Sequence, residues 1–131
     1  LRVEKSSKNA MEIAKYFKNH ELVEKVIYTG LSDHPGYEIS KNQTSGKFGG
    51  MLSIIVKGNE RTAIDVARYC KIFYPATSLG GVESLIEHRK TVSGENFPVN
   101  ENLLRLSIGI EDPSDLINDL EQALLKASNQ Q

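Results

Sequence analysis

Apolar residues recur along this chain in two rhythms, one of three to four positions and one of two. Val3, Ala10, Ile13, Ala14 and Phe17 fall on one helical face and predict an amphipathic helix running through Asn19. Residues 22–28 are rich in β-branched side chains and lead to Gly30, which predicts a strand and then a turn. Asp33-His34-Pro35-Gly36 is turn chemistry, and residues 37–43 can form a short helix. Residues 51–56 read as a strand, closed by Lys57-Gly58-Asn59. A second helix over 61–70 places Ala63, Ile64, Ala67 and Cys70 on its apolar face. Short strands are expected at 72–75 and 83–87, and the polar stretch 89–102, with Gly94 and Pro98, reads as a loop.

Two elements near the C-terminus carry the clearest patterns. Over 103–110 the chain alternates, with Leu104, Leu106, Ile108 and Ile110 on one face of a strand and Leu103, Arg105, Ser107 and Gly109 on the other. The last helix has Asp112 as its N-cap, Pro113 as its first residue and Asp115 in its first turn, where the dipole favours an acid. Leu116, Leu120, Ala123, Leu124 and Ala127 form its buried stripe. Helices and strands interleave, and several strands lie close enough to pair antiparallel. The simplest way to bury these stripes is an α+β layer, a four- to five-stranded, mainly antiparallel sheet with helices on one face.

Composition narrows the partners. The chain has 131 residues, enough for one domain over 1–131, and a net charge of −1. Charged residues are mixed along the chain, which gives no footprint for nucleic acid or a membrane surface. No apolar run is long enough to cross a bilayer. The single cysteine, Cys70, excludes an internal disulfide and fits a reducing compartment. It lies on an apolar helix face, which favours a small buried thiol over a reactive one. The chain begins at Leu1 already in helical sequence, and the expectation is a piece of a longer protein.

Candidate chemistry is sparse. Arg105, on the less apolar face of its strand between Leu and Leu-Ser, can clamp a carboxylate with two parallel hydrogen bonds. On spacing alone a solvated arginine on a half-exposed sheet is the weightier reading. Thr77-Ser78 runs into Leu79-Gly80-Gly81, where glycines allow positive φ and a close approach to a ligand or another backbone. Ser45-Gly46-Lys47-Phe48-Gly49-Gly50 superficially suggests a phosphate loop, but Phe follows the lysine where Ser or Thr is needed, so a loop with a close backbone approach is expected. His20, His34 and His88 share no metal-ligand spacing, and no Ser-His-Asp or Cys-His grouping emerges.

The order of motifs changes the balance. Ser78-Leu79-Gly80-Gly81-Val82-Glu83-Ser84-Leu85-Ile86, then residues 104–112 with Leu104-Arg105-Leu106-Ser107, then Asp115-Leu116-Ile117-Asn118-Asp119-Leu120, resembles the C-terminal end of the Cys/Met-metabolism, or trans-sulfuration, enzymes. Val23-Glu24-Lys25-Val26, Gly30-Leu31, His34-Pro35 and Phe48-Gly49-Gly50-Met51-Leu52-Ser53 extend the likeness over nearly the whole chain. That family, of cystathionine γ-synthases, cystathionine lyases and methionine γ-lyases, uses pyridoxal 5'-phosphate. The resemblance implies the small C-terminal domain of the fold-type I pyridoxal-phosphate enzymes. It makes Arg105 the grip on the substrate α-carboxylate, places Ser78 near the catalytic lysine and that carboxylate, and turns Thr77 toward the distal part of the substrate. The Schiff-base lysine and the cofactor ligands would lie in an N-terminal domain outside this chain, so no catalytic or cofactor-binding residue is assigned here and the chain alone is expected to be inactive.

Two departures from the family pattern bear on the reaction. Thr77 offers a neutral hydroxyl where γ-synthases often carry a glutamate. After His88, relatives continue with Pro and a Met-Thr-His segment; this chain has Arg89-Lys90-Thr91-Val92-Ser93-Gly94-Glu95 and a shortened connection. The expectation is a cytoplasmic, homotetrameric C–S lyase of cystathionine type in sulfur amino-acid metabolism, taking a sulfur-containing amino acid and docking on its own cofactor domain. A cystathionine γ-synthase-type replacement enzyme, or a non-catalytic ligand or assembly module of the same fold, are the alternatives.

Overall fold

The computed structural model describes residues 1–77, 80–94 and 98–129. In chain order the elements are α1 (Arg2–Phe17), β1 (Val23–Ile27), α2 (Tyr37–Thr44), β2 (Met51–Val56), α3 (Glu60–Tyr69), β3 (Tyr74–Pro75), β4 (Leu85–His88), α4 (Arg89–Ser93), β5 (Leu103–Ser107) and α5 (Pro113–Ser128). The five strands form one open sheet in the order β1-β2-β5-β4-β3. Its pairs are antiparallel except β3 with β4, which is parallel. The expected α+β architecture is therefore present, with one parallel pair at an edge.

The period-two pattern decides which sheet face is covered. Leu52, Ile54 and Val56 of β2, Leu104 and Leu106 of β5, and Ile86 of β4 are all buried, and they share one face by register. Against them stand Ala10, Ile13, Ala14 and Phe17 of α1, Ala63 and Val66 of α3, and the α5 stripe Leu116, Leu120, Ala123, Leu124 and Ala127. The remaining face carries the cross-strand row Ile27–Ser53–Arg105–Glu87.

Local chemistry explains the helix starts. Asn59 caps α3 through a reciprocal pair: its Oδ1 accepts from the Thr62 N–H at 3.0 Å, and the Thr62 hydroxyl accepts from the Asn59 N–H at 3.2 Å. Asp112 caps α5, its Oδ1 accepting from the Ser114 N–H at 2.8 Å, with Pro113 at the first helical position.

The structure corrects several expectations. Residues 89–102 are not all loop, since Arg89–Ser93 form the short helix α4. His88 supplies its cap, a residue type outside the usual N-cap set, and Gly94 closes it at φ 83°. Strand β5 stops at Ser107: the Ile108 N–H turns to the Gly50 carbonyl at 2.7 Å and the Ile110 N–H to the Val82 carbonyl at 3.0 Å, leaving Ile110 exposed. Val3 is exposed too, because the buried stripe of α1 begins one to two turns later. On α3 the buried positions are Thr62, Ala63, Asp65 and Val66, whereas Ile64, Ala67 and Cys70 are half-buried and turn toward a groove. Lys47 pairs with Glu4 at 2.7 Å, and its loop makes the expected close approach at Gly50, where a Cβ would stand 2.9 Å from the Ile108 carbonyl oxygen.

Two acids, Asp119 buried and Glu111 half-buried, fasten the connections that lead to the site. Asp119 of α5 accepts backbone N–H bonds from Lys71 and Ile72, each at 2.7 Å, and from Phe73 at 3.1 Å. Glu111 accepts from the Ser84 N–H at 2.9 Å and the Ser84 hydroxyl at 2.8 Å, while Ser84 Oγ accepts from the Gly109 N–H at 2.9 Å. Gly109 is forced here, because a Cβ would collide with the Val82 carbonyl oxygen. Asp119→Ala leaves three backbone donors without their acceptor and should lower unfolding stability by about 2–4 kcal/mol, read from urea denaturation of the chain. A loss below about 0.5 kcal/mol would show that water replaces the carboxylate.

Candidate functional site

Arg105 sits at the middle of β5, the central strand, with Ser53 beside it on β2 and Glu87 beside it on β4. Its position is thus fixed by pairing on both sides. The guanidinium Nη1 donates to Glu87 Oε1 at 3.0 Å and to the Thr77 carbonyl at 3.1 Å. The arginine side chain is 24% exposed and the glutamate 3%. Arg105 is therefore not the fully solvated arginine of a half-exposed sheet. It already grips a carboxylate of its own chain, and it ties the connection after β3 to the sheet.

Glu87 also accepts from Arg89 Nη1, on the same oxygen, at 2.9 Å. Its second oxygen, Oε2, is buried with no hydrogen-bond partner among the described residues. Sequence reading missed this acid, which closes an apolar strand. The available signal was only its alternation with Ile86, which puts an acid on the other face of the strand.

Thr77 and Arg105, assigned from sequence to one site, are brought together by the hydrogen bond to the Thr77 backbone. The Thr77 residue itself is exposed. Ser78, the third assigned residue, lies outside the described residues. Gly80, two positions on, has φ 77°, the left-handed conformation expected of the Gly-Gly pair. Beside Thr77 opens an apolar groove of about 470 Å³, lined by Ile64, Ala67, Cys70, Ala76 and Val92 among others. A smaller recess of about 200 Å³ borders Arg105 on its other flank, with Thr29, His34, Met51 and Ser53. An anionic group on Arg105 would therefore have polar neighbours on one flank and an apolar groove on the other.

The histidines are engaged locally. His88 Nε2 lies 2.6 Å from the Glu101 carbonyl and Nδ1 lies 2.5 Å from the Thr91 hydroxyl, with the Thr91 N–H also directed at Nδ1 at 3.4 Å. A proton on Nε2 satisfies the carbonyl, and Nδ1 is then the acceptor that caps α4. His20 contacts Glu121 at 3.1 Å, and His34 Nδ1 accepts from the Gly36 N–H at 2.9 Å. Among the described residues no group of three or more His, Cys, Asp or Glu is placed to hold a metal ion. No helix among them is long and apolar enough to cross a membrane.

With this geometry in place, the sequence comparisons identify the class. The chain belongs to the family described as Cys/Met metabolism PLP-dependent enzymes, whose model matches residues 1–125. Among similar proteins, a cystathionine gamma-synthase of Mycobacterium bovis is 45% identical over 129 residues, covering 95% of this chain and 33% of its own length. A cystathionine gamma-lyase of Sus scrofa is 41% identical over 135 residues, covering 97% of this chain and 33% of its own length. A cystathionine gamma-lyase of Dictyostelium discoideum is 42% identical over 134 residues, covering 96% and 34%. The chain spans about a third of the length of the curated relatives it matches.

The family's cofactor, pyridoxal phosphate, asks for a lysine in a sheltered pocket and a cluster of donors for its phosphate. The recess that carries Lys18 and Lys25 does not fit it. It also holds Glu24 and Asp33, and Lys18 is paired with Asp33 at 3.4 Å. Acids there oppose a phosphate. No chemical step is therefore assigned through the cofactor on these residues.

Cys70 borders the apolar groove, and its thiol pKa is pushed well up, first by burial and then by the nearby Asp119 carboxylate. Both effects disfavour the thiolate, which is the reactive form. At pH 8 the folded chain should react with a disulfide reagent at least about tenfold more slowly than a free cysteine, because the rate follows the thiolate population. Labelling at the rate of free cysteine in the folded chain would contradict this placement.

Proposed function

We propose that this chain is the C-terminal, substrate-carboxylate-binding domain of a pyridoxal-phosphate-dependent trans-sulfuration enzyme, of cystathionine-type C–S lyase activity. The observation that carries the reading is the Arg105 guanidinium, fixed on the central strand and bonded to the Thr77 backbone, with an apolar groove beside it. Arg105 holds the substrate α-carboxylate by paired, charge-assisted hydrogen bonds. Ser78 lies next to that carboxylate and the catalytic lysine, and Thr77 faces the distal end of the substrate. The lysine and the cofactor ligands belong to an N-terminal domain of the same protein, on which this chain docks, and the cofactor there supplies the electron sink. The chain alone is inactive, and the whole enzyme works as a cytoplasmic homotetramer in sulfur amino-acid metabolism.

Elimination is favoured over cystathionine synthesis because Thr77 offers no negative charge to a distal ammonium. The second reading, γ-replacement, is favoured by the 45% identity to a cystathionine gamma-synthase. The two separate by product analysis of the full-length enzyme, as keto acid from cystathionine against cystathionine from an activated homoserine and cysteine. Efficient synthesis with only trace keto acid would reverse the choice.

In the full-length enzyme Arg105→Lys loses the planar fork and Arg105→Ala loses the charge as well, so kcat/KM for an amino-acid thioether should fall at least about tenfold. Cofactor content should stay normal. An unchanged kcat/KM in Arg105→Ala would end the carboxylate assignment. Thr77→Glu should raise kcat/KM for substrates with a distal ammonium about tenfold, the size of one modest charge-assisted contact. Equal effects on substrates with and without that ammonium would remove Thr77 from substrate selection.

A further inference from the structure

We propose that Arg89 is a positioning residue that frees Arg105 from Glu87, so that Arg105 can take up an external carboxylate. The inference rests on the reading in which Arg105 grips that group. Two guanidinium Nη1 atoms converge on one oxygen, Glu87 Oε1, at 2.9 Å from Arg89 and 3.0 Å from Arg105. The glutamate is the buried member at 3% exposure, and the arginines are outer members at 36% and 24%. A buried carboxylate left without a cation is strongly disfavoured, whereas one that keeps a single cation is not. If Arg105 were its only partner, swinging toward a ligand would strand the acid, and ligand and Glu87 would compete for one guanidinium. Arg89 removes that penalty by staying on Oε1 while Arg105 turns its donors outward.

The charge count agrees. Two cations against one anion leave a surplus of one positive charge, which one carboxylate neutralises. The backbone holds Arg89 in place for this role. β4 runs directly into α4, and the cap on His88 makes Arg89 the first helical residue, so that it folds back onto the acid two positions before it.

The test uses the full-length enzyme, with kcat and KM for an amino-acid thioether and the inhibition constant of an unreactive thioether carboxylate, 3-(methylthio)propanoate, against that of its amide. Arg89→Ala should raise KM and the carboxylate's inhibition constant about five- to tenfold, the scale of one coupled charge pair. The amide constant should not move, and kcat should stay within about twofold. Glu87→Gln added to Arg89→Ala removes the competing charge, and it should bring the carboxylate constant back to within about twofold of the unmodified enzyme. If Arg89→Ala leaves the carboxylate constant unchanged while Arg105→Ala raises it, the release role is wrong and the carboxylate grip stands. If Arg105→Ala changes nothing, the grip itself is wrong. A double variant no better than Arg89→Ala alone would mean that Arg89 acts by holding α4 together, and would also overturn the proposal. Arg89→Gln, which keeps length and polarity, serves in the same comparison should Arg89→Ala not fold.

Discussion

The last strand in sequence is the middle strand of the sheet, and most of the molecule follows from that. β5 pairs with β2 on one side and β4 on the other, so the sheet has no centre until residues 103–107 arrive. A central strand cannot slip by one residue without exchanging its covered and open faces. Here such a slip would expose Leu104 and Leu106 and drive Arg105 into the helix layer, where an unpaired guanidinium is intolerable. The hydrophobic effect therefore sets the register, and the register sets the arginine. Arg105 faces outward at a fixed height, opposite Ser53 and Glu87, because its neighbours face inward.

Carboxylates then do what apolar packing cannot, which is to fix the irregular connections. Asp119 gathers three successive N–H groups where the chain leaves α3, and Glu111 with Ser84 gathers the segment before β4. Each carboxylate satisfies backbone donors that no strand or helix partner reaches, so the turns are held by polar bonds that water would otherwise take. Both connections lie near Thr77, and Arg105 adds a third tie at the Thr77 carbonyl.

How much of this could be read from the residues depends on the range of the interaction. Periodicity placed the long helices and β2 closely, because Ala10, Ile13, Ala14 and Phe17, or Leu52, Ile54 and Val56, report burial of one face directly. The cap of α5 was equally plain, since Asp112-Pro113 is local chemistry. Pairing order was not: nothing in Tyr74-Pro75 announces a parallel partner in β4. Alternation alone carried the β5 strand to Ile110, but hydrogen bonds to Gly50 and Val82 pull the chain away after Ser107. α4 was hidden because its cap is a histidine whose ring is locked by residues three and thirteen positions away. For the site, family likeness singled out Arg105 and Thr77, and a hydrogen bond to the Thr77 carbonyl brings them together. Glu87 and Arg89 were not singled out, because their meaning lies in a three-way contact between β4, α4 and β5.

The candidate site forms where regular pairing runs out. β3 contributes only two residues, matched to Leu85 and Ile86, so Glu87 and His88 have no β3 neighbour. In a plain sheet such an edge would be open to another strand or to water. Here the acid meets two guanidinium groups, the histidine is consumed in capping α4, and α3 stands across the gap with Ile64, Ala67 and Cys70. The result is a charged cluster with a low-dielectric wall beside it, where hydrogen bonds to an anion gain strength that a fully wet surface would screen away. The same frayed edge that denies Glu87 and His88 a β3 partner thus provides both the apolar groove and the cation next to it. Extending β3 by even two residues would fill the edge and bring a strand against the groove that adjoins Arg105.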